Sequence, residues 1–476
     1  MDNILGISAV LAVLHLSMAG LGAFHALTFK RDPRSALGWI FVCLTVPFAG
    51  PIVYFTLGVN RVRTRAKKLG RGAVIYGQER PDVELIKASD HTILPQEFRH
   101  LQNISDRVVQ RPLILGNRVD VLYTGEAAYD AMLSAIDNAQ SEIVLASYIF
   151  ESNTTGRRFV DALARAVARD VRVRVLIDGV GEFYSWPRIS RVLRKHGIPV
   201  ARFLPPRLFP PTFRINLRNH RKILVKDGTE AFTGGMNIGD RHVADSSGQR
   251  GIVDLHFRFT GPIAGQLADV FWEDWLFTTA EHRAAAPPIP APEGHLPCRV
   301  ITDGPGEDLD KLSLILHAVI ATARHSVWIV TPYFLPTREL LTAIQIAALR
   351  GAEVNVLLPS KNNLPYVDWA SRNLLWELLQ WGINIYYQPP PFVHSKLLVV
   401  DASYIQVGSA NMDARSLRLN FEVAVEIIDA ELARTMVGDL ERWREKSRRV
   451  TLEEIDSRSW LVRLRDSIAW LLSPYL

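Results

Sequence analysis

Two stretches of this 476-residue chain carry the same set of reactive side chains at the same spacing. The first reads His220-Arg221-Lys222-Ile-Leu-Val-Lys226-Asp227, followed by Gly234-Gly-Met-Asn237. The second reads His394-Ser395-Lys396-Leu-Leu-Val-Val-Asp401, followed by Gly408-Ser-Ala-Asn411. Both are HxKxxxxD followed by GxxN. Residues two apart on a strand share a face, so each copy presents an imidazole and an ammonium to one spot, with Leu and Val anchoring the strand behind them. Glycine ahead of each Asn lets backbone approach an anion closely. A single His-x-Lys is ordinary on a surface strand; two copies with matched Asp and Asn offsets point to function.

The chemistry that suits this set is displacement at a phosphodiester. An anionic phosphate needs a nucleophile on one side, an acid for the leaving oxygen on the other, and fixed positive charge at its remaining oxygens. Imidazole, which titrates near about 6.5, can attack in one copy and donate a proton in the other. Lys222, Lys396, Asn237 and Asn411 can hold the phosphate. Asp227 and Asp401 complete the motif and count with its catalytic set, although their positions suit partners of the strand and turn better than reactants. No tight carboxylate cluster accompanies the motifs and the lysines already neutralise the phosphate, so neither a metal nor another cofactor is expected.

The elements that must position these residues are themselves duplicated, residues 118–260 and 299–428 following one pattern. Each half opens with a helical stretch, Ala127–Asn138 or Leu312–Arg324, and continues into an apolar strand, Glu142–Tyr148 or Ser326–Tyr333. A second helical run then leads to another strand, entered at Arg169 or Arg350. This alternation predicts an α/β fold of two pseudo-symmetric lobes, mixed sheets flanked by helices. The offset between halves is 185 at Tyr148/Tyr333 but 174 at His220/His394, so the first half carries eleven extra residues, within Leu204–Arg218. A Pro/Ala-rich linker, Ala284–Glu293, separates the halves.

Ahead of this body lie 27 uncharged residues, Asn3–Phe29, and another 26, Ser35–Asn60. Either, if helical, exceeds a hydrocarbon layer of roughly 30 Å. The first lacks a basic leader and reads as a retained span; the second, interrupted by Pro47, Gly50 and Pro51, reads as a crossing or as a kinked, re-entrant or interfacial element. The basic excess, 55 Lys and Arg against 49 Asp and Glu, equals the six charges of Arg61, Arg63, Arg65, Lys67, Lys68 and Arg71. Placed directly after an apolar run, that block suits anionic lipid head groups better than nucleic acid and puts residues 61 onward in the cytoplasm. The link Lys30-Arg31-Asp32-Pro-Arg34 is basic too, but less densely. With only Cys43 and Cys298, no disulfide framework or zinc cluster is expected.

The paired motifs resemble those of the phospholipase D superfamily, over about residues 118–428. The whole chain, with its two apolar segments and charged Lys-Arg-Asp-Pro turn, most resembles the bacterial cardiolipin synthases of phospholipase D type. That resemblance implies transfer of a phosphatidyl group from one phosphatidylglycerol to another through a phosphohistidine, without metal or nucleotide, at the bacterial inner membrane. It implies attack by His220 with His394 as acid and base, although on spacing alone either could attack. It also implies that Asp254 and Glu422, 34 and 28 residues after His220 and His394, brace the histidines. Three rivals are a lipid hydrolase releasing phosphatidic acid, a nuclease, and a membrane scaffold with degenerate lobes. The expected organisation is a membrane region of transmembrane helical hairpin type at 1–60, a basic connector at 61–117, lobes at 118–283 and 299–430 with the linker at 284–298, and a helical tail at 431–476. In that tail Trp460, Leu461, Leu464, Ile468 and Leu471 recur at near-helical spacing, either at the interface or packed on the protein. His256 and the aromatic group Phe271, Trp272, Trp275 and Phe277 read as packing residues or, for the aromatics, an interfacial patch. Arg207, Arg214 and Arg218 read equally as contacts to a lipid phosphate or as a solvated loop, and Gly179-Val-Gly181 lacks the remainder of a dinucleotide fingerprint.

Overall fold

The computed structural model describes residues 2–30, 33–59, 98–206, 217–245, 248–249, 251–283, 290–305 and 308–473. The basic block at 61–71 lies outside the described residues, as do Arg207 and Arg214. The chain divides into two compact units, an N-terminal one and a body.

In the body, apolar strands and amphipathic helices alternate as the sequence pattern predicts, and fifteen strands form one mixed sheet. From the centre outward, the first half contributes Ile114–Leu122, His256–Thr260, Glu230–Gly234, Ile223–Lys226, Glu142–Ser147, Arg172–Asp178 and Val200–Phe203. The second contributes Leu296–Asp303, Glu422–Ile428, Tyr404–Gly408, Leu397–Val400, Ser326–Val330, Glu353–Pro359 and Asn384–Gln388, with Arg448–Val450 at the edge. The halves thus repeat one strand order. They share a single sheet because their opening strands pair antiparallel, Ile114 opposite Cys298 and Asn117 opposite Leu296. Each opening strand would otherwise leave a row of backbone groups unpaired.

Each half keeps its own apolar core, around Leu145, Phe159 and Leu224 in the first and Ile329, Ile344 and Leu398 in the second. The helix Arg99–Val109, from the stretch expected as a connector, packs on the core of the second half through Phe98, Leu101 and Val109. The Phe98 ring stacks on Tyr404 at 5.9 Å. Phe271, Trp272 and Trp275 lie buried in the helix Ile263–Thr279, so packing is their role. The closing helix Trp460–Leu471 buries Asp466 and Ala469 but turns Trp460 (71% exposed), Leu461, Leu464, Ile468 and Leu471 outward.

In the N-terminal unit the first apolar run is one helix, Asp2–Phe29, of which Gly6–Phe29 is long and apolar enough to cross a membrane. The second is broken into Pro33–Thr45, Ala49–Val53 and a wide turn at Tyr54–Gly58. At about 1.5 Å per residue its longest piece falls short of the hydrocarbon layer, so the unit holds one helix of span length followed by an interrupted segment. The break comes where Phe48 adopts a positive φ beside Pro47. The pieces pack on the first helix, with Tyr54 Oη 2.7 Å from His25 Nδ1 and Lys30 Nζ donating to the Gly58 carbonyl at 2.7 Å.

Candidate active site

His220 and His394 each stand just ahead of an apolar strand, Ile223–Lys226 and Leu397–Val400, and backbone pairing between the halves fixes both. The His220 N–H donates to the Phe421 carbonyl at 2.9 Å, and the Phe421 N–H donates to the Arg218 carbonyl at 2.8 Å. In mirror fashion Phe392–Val393 pairs parallel with Ile252–Val253, and the His394 N–H donates to the Val253 carbonyl at 2.8 Å. The next residue after each accepting carbonyl is a carboxylate, Glu422 or Asp254. Each bracing acid therefore meets the histidine of the other half, not the one from which its spacing was counted. His220 Nδ1 lies 3.1 Å from Glu422 Oε2, and His394 Nδ1 lies 2.7 Å from Asp254 Oδ2. A carboxylate only accepts, so these contacts place the proton on Nδ1 and leave a lone pair on Nε2.

The acids are themselves held. Glu422 receives hydrogen bonds from Ser409 Oγ and, at 3.1 Å, from Asn420 Nδ2. Asp254 receives the Leu255 N–H at 2.8 Å. Gly235 occupies the place that Ser409 takes in the second half, and a Cβ there would lie 2.3 Å from Asp254 Oδ1, so the shorter acid needs this glycine.

Lys222 Nζ donates to the His220 carbonyl at 2.5 Å. Lys396 Nζ lies 2.9 and 3.1 Å from the two ring nitrogens of His394 and also donates to the His394 carbonyl. Both pairs share one electrostatic environment: Lys396 acts on His220 and Lys222 on His394. Burial pushes His220 down to about 4 and, together with Lys396, His394 to about 3. Burial likewise pushes Lys222 down to about 7 and Lys396 to about 8. Burial alone would raise both acids, yet His220 and Lys222 hold Glu422 at about 2, and Lys396 and His394 hold Asp254 well below the carboxylate range. Near pH 7 two carboxylates thus face the Lys396 ammonium and a Lys222 that is about half protonated, while both imidazoles are neutral.

Asp227 and Asp401 are not part of this cluster. Asp227 accepts the N–H groups of Gln140, Ser141 and Glu142, and Asp401 those of Arg324, His325 and Ser326. Each ties down the start of the neighbouring strand, the structural place their positions in the motif suit. Asn237 Oδ1 accepts the Ile149 N–H at 3.1 Å, and Asn411 Nδ2 donates to Ser416 Oγ at 3.2 Å. His256 is buried, pushed down to about 4 by that burial.

Sequence reasoning missed the frame around His220. Arg221, the residue between His220 and Lys222, points the opposite way into a buried ion pair, Nη1 to Asp274 Oδ1 at 2.8 Å, and donates through Nε to the Glu422 carbonyl at 3.0 Å. Asn219 Nδ2 donates to Asp274 Oδ2 at 2.8 Å and its N–H to Asp178 Oδ2 at 2.8 Å. The Tyr148 ring meets the His220 ring edge-on at 5.0 Å. The signal was Asp274 amid Trp272 and Trp275, a charge inside an otherwise apolar helix face.

A repeated α/β half that contributes one His-x-Lys pair to a shared centre is the arrangement of the phospholipase D-like proteins. A family model described as cardiolipin synthase, PLD-like domain, matches residues 132–275 and 316–443, and one described as phospholipase D-nuclease N-terminal matches 17–58. The chain belongs to the PLD-like cardiolipin synthase family. It is 31% identical to cardiolipin synthase A of Pseudomonas putida over 98% of this chain and 97% of that protein. It is 32% identical to a cardiolipin synthase of Geobacillus thermodenitrificans over 94% and 90%. The fold is shared with the crystal structure of phosphatidylserine synthase from Haemophilus influenzae, at a TM-score of 0.60 and 14% identity over 80% of this chain and 100% of that one.

Proposed function

We propose that this chain is a membrane-bound phosphatidyltransferase that joins two phosphatidylglycerol molecules into cardiolipin with release of glycerol. The observation that carries the reading is the pair of histidines whose Nδ1 atoms meet carboxylates from opposite halves, each beside an ammonium. His220 Nε2 attacks the phosphorus of the first lipid, the P–O bond to glycerol breaks, and His394 gives the leaving oxygen a proton. His394 then takes the proton from the terminal hydroxyl of the second lipid as that oxygen displaces His220 from phosphorus. An anionic phosphate in the site raises the affinity of His394 for the proton it must donate, offsetting burial and the lysine charges. Lys222, Lys396 and the side-chain amides of Asn237 and Asn411 stabilise the phosphoryl oxygens.

The N-terminal unit serves as the anchor, its long helix crossing the membrane and the interrupted segment staying in it, with the basic block and the body on the cytoplasmic side. The outward row Trp460, Leu461, Leu464, Ile468 and Leu471 suits the same lipid surface. Incubation of the purified protein with phosphatidylglycerol vesicles should yield cardiolipin and glycerol in equal amounts, in the presence of excess chelator. Phosphatidic acid as the main product would replace transfer by hydrolysis.

A further inference from the structure

We propose that the turn at residues 183–186 dips into an anionic bilayer beside His220, giving the body a membrane contact of its own through which lipid reaches the reacting centre; its role in catalysis rests on the phosphatidyl-transfer reading above. Large apolar side chains stand out from the protein here. Phe183, Tyr184 and Trp186 are 52%, 49% and 76% exposed. Their backbone is not free to fold them inward. Asp178 Oδ1 accepts the N–H groups of Val180 and Gly181 at 2.9 and 2.8 Å. Ser185 Oγ accepts the Ser152 N–H at 3.0 Å, and Ser152 Oγ donates to the Pro187 carbonyl at 2.6 Å. Glu182, buried at the foot of the turn, accepts from Ser190 Oγ at 2.9 Å, and Arg202 Nε lies 2.7 Å from its other oxygen. A Cβ at Gly181 would lie 1.8 Å from the Tyr148 carbonyl oxygen, so the turn is pressed against Tyr148. Polar contacts on the inner side thus hold three aromatic side chains outward.

Charge selects the occupant of this surface. Residues 183–195 carry Arg188, Arg191, Arg194 and Lys195 and no acid. The Arg188 guanidinium lies over the Phe183 ring at 4.2 Å, and that of Arg191 over the Trp186 ring at 5.6 Å. Rings carrying basic heads suit the boundary between acyl chains and anionic head groups, where the ring sits among the chains and the guanidinium meets phosphate. A second copy docked symmetrically on this face would bring the same positive charge against it. The turn is also continuous with the reacting centre. The Tyr184 ring lies 6.2 Å from that of Tyr148, which in turn lies 5.0 Å from the His220 ring. Two rings therefore join the attacking imidazole to the exposed surface. A phosphatidyl donor cannot leave its acyl chains in water. With the turn seated in the bilayer, the head group reaches His220 while the chains stay in lipid.

The test has a binding arm and a catalytic arm, both in full-length protein. For the first, a Cys43→Ala, Cys298→Ala, Trp186→Cys variant is labelled at the new thiol with an NBD fluorophore and reconstituted into vesicles of phosphatidylglycerol and phosphatidylcholine. Lipid spin-labelled near the top of its acyl chain should quench the emission about twofold or more. Unquenched emission would overturn the proposal, and so would a blue shift without quenching, which would place the turn against protein. For the second, Phe183→Ser with Trp186→Ser should lower cardiolipin formation from long-chain phosphatidylglycerol in vesicles relative to formation from dihexanoyl phosphatidylglycerol below its micelle concentration. The expected change in that ratio is about tenfold or more, the loss when two large apolar side chains no longer leave water. A ratio unchanged, whether both rates fall together or neither falls, would overturn the proposal; the short-chain product also reports that the variant folds. Failure of the wild-type enzyme on both substrates would overturn the transfer reading, while the quenching, which needs no turnover, would still decide the bilayer contact.

Discussion

Replacing Glu422 by Gln tests the crossed bracing, because it keeps the shape of the side chain while removing its charge. Two losses follow at His220. The hydrogen bond from Nδ1 to a carboxylate is of the charge-assisted kind, worth about 1.5–3 kcal/mol, or about 10- to 150-fold. The amide can also donate to Nδ1, which moves the proton to Nε2 and hides the attacking lone pair; carboxylate-to-amide changes of this type cost up to about 10⁴-fold in a serine-protease triad. Lys222 loses its main favourable neighbour at the same time, and its pKa, already pushed down to about 7 by burial, falls further. Covalent phosphatidyl-enzyme should therefore form about 10² to 10⁴ times more slowly in Glu422→Gln, as measured by rapid quench into alkali with phosphatidylglycerol labelled in its diacylglycerol part. Asp254→Asn acts on His394 instead, so that variant should turn over slowly yet hold more of the adduct at steady state than Glu422→Gln does. Adduct accumulating in Glu422→Gln and absent in Asp254→Asn would show that each acid serves the other role.

Three further outcomes follow from the same geometry. Asp227→Ala and Asp401→Ala each free backbone N–H groups at a strand start and should destabilise the protein by about 1–3 kcal/mol in denaturant titrations, with the rate per folded molecule little changed. The ammoniums of Lys222 and Lys396, pushed down to about 7 and about 8, lose their protons as pH rises, so kcat/KM should decline from about pH 7 upward; a profile flat to pH 10 would contradict this. His220, His242, His256 and His394 all have folded pKa values below the unfolded 6.5, at about 4, 4, 4 and 3, so the unfolded chain takes up protons first and stability should drop between about pH 6.5 and pH 4, seen as a falling denaturant midpoint.

The motif residues were legible because strand alternation and two matched spacings are local properties of the chain. His220 and Lys222 share a face whatever surrounds them, and the apolar residues after them had to be buried. The partner of each histidine was not legible in the same way. Spacing ties Glu422 to His394 and Asp254 to His220, but the pairing of Phe421 with Asn219 and of Val253 with Val393 depends on how the halves meet. The same junction explains why two expected sheets are one, since Ile114–Leu122 and Leu296–Asp303 satisfy each other across it. The helix Arg99–Val109 was lost to composition: its polar face resembles a connector, while Leu101 and Val109 are claimed by the core of the second half. Asp227 and Asp401 show the converse, a repeated motif position whose purpose is to anchor a strand.

The assignment of roles to two nearly equivalent histidines is tested most directly by locating the covalent lipid. Full-length His394→Ala and His220→Ala would be mixed with phosphatidylglycerol, quenched in alkali to preserve an acid-labile phosphohistidine, digested and mapped by mass spectrometry. A phosphatidyl adduct on His220 in His394→Ala, with none on His394 in His220→Ala, is the predicted result. An adduct on His394 in His220→Ala, with none on His220 in the converse variant, would contradict it.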